Sequence, residues 1–320
     1  MTGDGPGRRG RLALLAVAAL VLAGCAGPAA ATPRRLLNIT VAAVPSEGAA
    51  GLYVALEEGM FARAGLHVSI QTSVAATSVI PAMLHGRVDV DYGAYTAYIG
   101  ADAAGAADLR VIAPGFSLGP HVQEVIVADR SHITSITGLK GKTIAVNVLG
   151  GISADLLYNT LASYGITPAQ VHIVAVPFPL MPAALDAGQV DAIETNEPFV
   201  TETVQQDKVE ELADVDTGPS MGFPVSGYGV LASWARRHPQ AAAAFTRVVE
   251  RGNAIAATNL AVLQRAMGTV LHLSPDVSDV MATGIFPTSV NPVQLQRVAN
   301  LMLHYGQLSK PFNVRPIIGF

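Results

Sequence analysis

The sequence predicts an α/β fold of two similar lobes. Three observations predict it: a strand, Gly-rich turn, helix, strand, helix, strand order between Lys140 and Phe199, the return of that order in residues 38–98, and a length of 320 residues, enough for two cores. In the later copy Ile144, Ala145 and Val146 are a short apolar run, and Asn147 to Ser153 (NVLGGIS) is a polar turn. Leu156, Leu157 and Leu161 then take helical spacing. The segments VHIVAV and AGQVDAIETNEPF complete the unit. The earlier copy reads NITVAAV, the turn PSEGAAG, a helix to Met60 and Phe61, Gly65-Leu66-His67-Val68, a second helix, then HGRVDVDYGAY. Gly86-x-Val88-Asp89 and Gly188-x-Val190-Asp191 lie 102 residues apart, and Gly65-Leu66 and Gly165-Ile166 lie 100 apart. Two copies of one βαβαβ-like unit imply two lobes.

Within the first lobe the helix from Ala49 presents Leu52, Leu56 and Phe61 to a core, with Tyr53 one turn in. His67 to Ile70 is the second strand, and Pro81 fits only the first turn of the next helix, which therefore starts near Ser78 or Val79. Val88 to Tyr92 is the third strand, and Gly93 to Thr96 opens another helix. Three polar turns thus follow three strands, and in open α/β sheets ligands bind in the crevice beyond those C-terminal strand ends. Ser153 is an N-cap candidate for the helix after the NVLGGIS turn, whose unpaired N–H groups suit a polar ligand group.

LRVIAPG (Leu109 to Gly115) and QEVIVA (Gln123 to Ala128) read as strands flanking the first crossing between lobes, and Tyr228 to Ala232 as the returning strand. The two crossings make a two-stranded hinge. The expected division is a first lobe built from residues 37–117 and 228–320 and a second lobe from 118–227. From Trp234 onward the pattern is helical, with Asn291 and Pro292 as N-cap and first residue of a helix carrying Leu295, Val298, Leu301 and Met302. These helices are expected to pad the first lobe.

Charged residues are 14% of the chain and hydrophobic ones 50%; net charge is −4 and the pI near 6.0, which leaves no basic field for nucleic acid. Arg8, Arg9 and Arg11 precede an apolar run from Leu12 to Ala23, of signal-peptide length and too short to span a bilayer. Leu22-Ala23-Gly24-Cys25 follows and resembles a bacterial lipobox, in which cleavage leaves the cysteine as a lipidated first residue. Residues 1–24 are then a lipoprotein signal peptide and 25–36 a small, Pro-containing tether. Cys25 is the one cysteine in the sequence, so neither an intrachain disulfide nor a multi-cysteine metal site is available.

The segments GLYVALEEGMFARAGLHV, AMLHGRVDVDYG, LKGKTIAV, LASYGIT, GQVDAIETNEPF and LMLHYGQLSKPFNV resemble, in order and spacing, the solute-binding proteins of bacterial ABC importers. Within these the chain is similar to the NMT1/THI5-like group, which includes the SsuA-like nitrate, sulfonate, taurine and thiamine-precursor binders. The resemblance covers nearly all of residues 37–316. It implies a periplasmic-binding-protein type II fold: two α/β lobes, a two-stranded hinge and a helical C-terminal tail. It also implies a monomer without cofactor, metal or catalytic residues that closes on a small-molecule solute and delivers it to an ABC permease and its ATPase. The lipid on Cys25 would hold it on the outer face of the cytoplasmic membrane. A pyrimidine-synthesising enzyme on the same fold and a solute-sensing co-receptor are the alternatives.

Carried over by position, the resemblance lines the cleft with Ser46, Glu47, Tyr53, Thr77, Tyr92, Tyr95 and Thr96 from the first lobe. From the second it takes Asn147, Gly151, Ile152, Ser153, Asn196 and Glu197, with His121 and Phe223 near the crossings. Asp89 and Asp191 read as structural, bonding within local turns. The cleft loops contain no Lys or Arg but two carboxylates and several aromatics. That makes burial of an anion costly and favours a pyrimidine or thiamine-precursor-like solute over an alkanesulfonate, taurine or nitrate.

Overall fold

The computed structural model describes residues 1–3, 36–72, 79–206 and 208–320. Nearly all of the signal peptide and of the tether, together with Cys25 and Thr77, lie outside the described residues. Residues Leu36–Phe320 form one compact unit.

Among the described residues ten strands make two sheets of five. They are β1 (Leu37–Ala43), β2 (Leu66–Thr72), β3 (Val90–Ala94), β4 (Leu109–Ser117), β5 (Gln123–Ala128), β6 (Thr143–Val146), β7 (His172–Ala175), β8 (Ala192–Asn196), β9 (Val209–Asp214) and β10 (Pro224–Leu231). The first sheet has the order β2-β1-β3-β10-β4 and the second β7-β6-β8-β5-β9. In each, three parallel strands from one βαβαβ unit meet an antiparallel strand that arrives across the hinge, β10 in the first and β5 in the second. The return strand begins at Pro224, four residues before the expected Tyr228, because Pro224 and Ser226 already pair with β4.

The duplication extends to single side chains. Asp89 accepts the backbone N–H of Thr40 at 2.9 Å, and Asp191 that of Thr143 at 2.8 Å. Both are structural, yet they do not close local turns as expected: each carboxylate reaches a strand residue 48 or 49 positions away, the fourth of β1 or the first of β6, and fixes that strand's register with the incoming one.

Twelve α-helices among the described residues cover these sheets: α1 (Ala50–Glu57), α2 (Met60–Arg63), α3 (Val79–Leu84), α4 (Tyr95–Ala103), α5 (Ile152–Ser163), α6 (Met181–Asp186), α7 (Phe199–Val204), α8 (Ala232–Arg237), α9 (Pro239–Thr258), α10 (Leu260–Leu271), α11 (Pro275–Ser278) and α12 (Pro292–His304). Strand alternation sends Ile39, Val41 and Ala43 into the cluster under α1, α9 and α10, while Ala42 faces a second cluster on the other side of the sheet. That second cluster joins Tyr98 and Leu109 with Leu118, Phe223, Ile144 and Leu157, so apolar packing continues across both crossings. β5 is apolar on both faces because both are covered, Val125 and Val127 on one side, Ile126 and Ala128 on the other.

The C-terminal region is more divided than a uniform helical run. Pro239 starts α9 afresh after α8, and Asn259 separates α9 from α10 at a bend of 111°, its side chain accepting the Val262 N–H. Asn291 caps α12 by accepting from Val293 and Gln294, with Pro292 at the first position as expected. α9 and α10 pack on α1 of the first sheet, but the end of the tail does not only pad that side. Tyr305 donates to Asn159 at 2.9 Å and Gln307 to Asp155 at 2.6 Å, both on α5 of the second sheet. No single described helix is long and apolar enough to cross a membrane.

Candidate functional site

At the C-terminal edge of the first sheet, β1 runs into Ser46 and a 3-10 turn, Glu47–Ala49, that feeds α1. Tyr92, near the end of β3, shares a 2.6 Å hydrogen bond with Ser226 of β10 and lies close to Ser46 and Glu47. Tyr95 opens α4, its ring pressed on Gly227: a Cβ there would meet the ring at 2.6 Å, so only glycine lets the ring lie flat on β10. Tyr53 on α1 and Thr96 on α4 are buried beside them. Burial pushes the phenols of Tyr53, Tyr92 and Tyr95 upward, so all three stay neutral donors.

The centre of the group is a pair of acids. Glu47 is 2% exposed; one oxygen accepts the Gly284 N–H at 2.7 Å and the other, Oε2, is buried without a partner. Burial pushes this carboxyl up to about 8, against the pull of the Gly284 bond, and the charge of Glu197 pushes it further. Glu197, at the end of β8 in the second sheet, accepts from Thr201 N (3.1 Å), Thr201 Oγ1 (2.8 Å) and Ala282 N (2.9 Å). Burial still raises its pKa. The strap Ala282–Gly284 is therefore held at one end by each sheet's acid, and Ile285 continues it by exchanging both backbone hydrogen bonds with Ser117. No ion pair among the described residues includes Glu47 or Glu197. The two acids can accept hydrogen bonds or a positive charge, and no Lys or Arg among the described residues is paired with either of them to offset an anion.

The second sheet presents its residues differently from the expectation. Gly151, not Ser153, occupies the cap position of α5; Ser153 is the second helical residue and its hydroxyl is bonded to Glu194. Glu194 also receives Gln123, is fully buried, and is raised by burial to about 7. This trio pins the start of α5 to β8 and β5, which explains a serine turned inward. Asn196 lies opposite Gln123 across the β5–β8 ladder with its Oδ1 buried and unpartnered. Asn147, Gly151 and Ile152 are half-buried, and no hydrogen bond among the described residues joins their turn to the first sheet.

Two further candidates stand apart. Phe223 is 2% exposed beneath the Arg297 guanidinium, 4.9 Å from ring centroid to cation, and belongs to the core between the crossings. His121 is exposed on the first crossing with φ +63°, and its Nδ1 is 2.9 Å from Glu124 Oε1. It shares with Glu197, Thr201 and Ala282 the wall of a hollow of 270 Å³. Sequence reasoning missed Glu194, Gln123, Ser226 and the Ala282–Gly284 strap. Glu194 had a signal, a carboxyl inside an apolar strand; the strap had none, since its partners lie 85 and 237 residues away.

A family profile described as NMT1/THI5 like matches residues 47–259. A putative thiamine biosynthesis protein of Haemophilus influenzae is 30% identical over 145 residues, 45% of this chain and 44% of that protein, so the chain matches less than half of that relative's length. Among solved structures, the periplasmic aliphatic sulphonate binding protein SsuA from Escherichia coli superposes with TM-score 0.70 at 21% identity, covering 88% of this chain and 96% of that one. The periplasmic nitrate-binding protein NrtA from Synechocystis PCC 6803 gives 0.72 at 14% identity, covering 86% and 83%. At such identities the likeness establishes the fold, two α/β lobes of the periplasmic-binding-protein type with a helical C-terminal region. With most of its sheets and both acids inside the matched span, the chain belongs to the NMT1/THI5-like family.

Proposed function

We propose that this protein is the extracytoplasmic solute-binding component of an ABC importer, a lipoprotein anchored through Cys25 that closes its two lobes on a small solute and hands it to a permease. The names of the similar proteins point to two ligand chemistries, thiamine-related compounds and small oxyanions. One observation favours the thiamine-related class: Glu47 and Glu197 converge on one strap with no cation paired to either among the described residues, and Glu47 keeps one buried oxygen free. An oxyanion placed there would face two carboxyls. A pyrimidine or thiamine-like solute instead brings N–H donors or a positive charge to that oxygen and a flat ring to Tyr92 and Tyr95.

Calorimetric titration of the lipid-free protein separates the two. Thiamine or its aminopyrimidine precursor is expected to bind, and taurine and nitrate are not; tight taurine binding with no pyrimidine binding would sink the assignment. The pH profile tests the role of Glu47. Its carboxyl titrates near 8 in the ligand-free protein, and a fixed cation beside it draws that value down, so binding releases a proton. Affinity for thiamine should climb by up to about tenfold per pH unit from pH 6 and level off above about 8. A flat profile would remove Glu47 as the ligand's ionic partner. Separately, Cys25→Ala should move the protein from the membrane fraction to the soluble one, and retention in membranes would refute the anchor.

A further inference from the structure

We propose that His121, Glu124 and Asp214 form a site for a divalent transition-metal cation of the zinc class, which ties together the two chain segments that cross between the sheets. His121 lies on the first crossing, Glu124 is the second residue of β5, and Asp214 is the last residue of β9, immediately before the chain turns into the second crossing. One donor atom from each lies within 4.8 Å of the other two. The closest pair, His121 Nδ1 and Glu124 Oε1, is 2.9 Å apart. Cations of this class sit about 2.1 Å from imidazole nitrogen and carboxylate oxygen, which puts neighbouring donors of a tetrahedral shell about 3.4 Å apart. The three side chains therefore need only small rotations to share one ion.

The side chain of Glu124 supplies the independent observation. It is 2% exposed, and its one hydrogen-bond partner among the described residues is the His121 ring. Burying a carboxylate this deeply is costly without a counter-charge. Here the neighbours make it worse: Asp214 and Glu211 both bear on it, and no Lys or Arg is paired with Glu124, Asp214 or Glu211 among the described residues. A divalent cation supplies the missing charge. His121 is already fastened to the group from the backbone side, its N–H donating to Asp214 Oδ2 at 3.1 Å. The mixed imidazole and carboxylate set favours zinc or manganese over calcium, which takes oxygen ligands alone. The hollow bounded by His121 and Glu211 admits the ion and the waters that complete its shell. Because the ligands lie where one crossing enters the second sheet and the other leaves it, the ion would brace the two segments on which lobe movement turns.

The test uses the full chain in detergent, stripped with a chelator and titrated with zinc chloride. The expected result is one equivalent bound at micromolar affinity, a raised melting temperature on zinc addition, and no saturable calcium binding over the same range. His121→Asn, which keeps a residue tolerant of positive φ, and Glu124→Gln should each weaken zinc binding by about tenfold or more while the metal-free melting temperature holds steady. Absence of saturable one-equivalent binding below about 100 µM, or zinc binding unchanged by His121→Asn in a folded variant, overturns the site. Calcium binding as tight as zinc overturns the class of ion.

Discussion

Gly252→Ala is expected to cost about 3 kcal/mol or more of folding stability, although alanine is the better helix former. Gly252 lies in α9 where that helix crosses α1, and a Cβ there would stand 2.0 Å from the carbonyl oxygen of Gly51 and 2.9 Å from its carbonyl carbon. Gly51 is bound from the other side, since its own Cβ would meet Asn253 Oδ1 at 1.8 Å. The obstacle is backbone, which no rotamer change removes, so the helices must part. Parting them also loosens Asn253, whose side-chain amide donates to the carbonyls of Pro114, Gly115 and Pro287 from a fully buried position. Those bonds tie α9 to β4 and to the strand-like return after the strap, and leaving them unmade is expensive. The damage should reach the candidate site as well, because α1 begins one residue after the turn that carries Glu47. Urea unfolding measures the stability and solute titration the site. Gly268→Ala in α10 is the control: its Cβ would meet nothing within 4 Å, so it should stabilise by about 0.5–1 kcal/mol. Equal effects of the two substitutions would mean that helix propensity, not close approach, governs both.

The fold was legible because it is written twice. Glycines at 86 and 188, with φ +68° and +67°, and at 65 and 165, with +84° and +70°, end equivalent helices, and each requires the left-handed conformation that glycine adopts freely. Asp89 and Asp191 repeat the same contact to a backbone N–H of the neighbouring parallel strand. Local pattern therefore carried the element order, while the exact return point of β10 depended on pairing with β4, which no local pattern encodes. The candidate site was legible where residues lie near or just past strand ends, as Ser46, Glu47, Tyr92 and Glu197 do. It was misread where a side chain's partner is distant. Ser153 looks like a cap in the sequence, but Glu194, forty-one residues on, takes its hydroxyl inward. Phe223 sits on a crossing, yet Arg297 covers it as core. The tail seemed inert because its polar contacts, Gln307 with Asp155 and Tyr305 with Asn159, join segments about 150 residues apart.

Glu194→Gln is expected to make the protein markedly less sensitive to alkaline pH. Glu194 has no exposed surface, and burial moves its carboxyl from 4.5 to about 7 while Ser153 and Gln123 hold it part of the way down. A group whose folded pKa lies above its unfolded value binds its proton more tightly when folded. Its contribution to stability is then complete below about pH 4.5 and is lost as pH rises through about 7, by about 1.4 kcal/mol per unit, or about 3 kcal/mol in all. Glutamine keeps the shape, accepts from Gln123, donates to Ser153 and never ionises. At pH 5 the variant should match the parent within about 1 kcal/mol; at pH 9 it should be the more stable by about 2–3 kcal/mol. Glu47, raised to about 8, and Asp91 and Asp155, each raised to about 7, act in the same direction, so the variant should still weaken with alkali, along a shallower slope. Parallel stability curves for parent and variant would mean that Glu194 is ionised throughout and that its serine and glutamine donors hold a carboxylate. The same trio anchors α5, so solute affinity at pH 9 should rise with stability in the variant if that helix must stay seated on β8 for the second lobe to close.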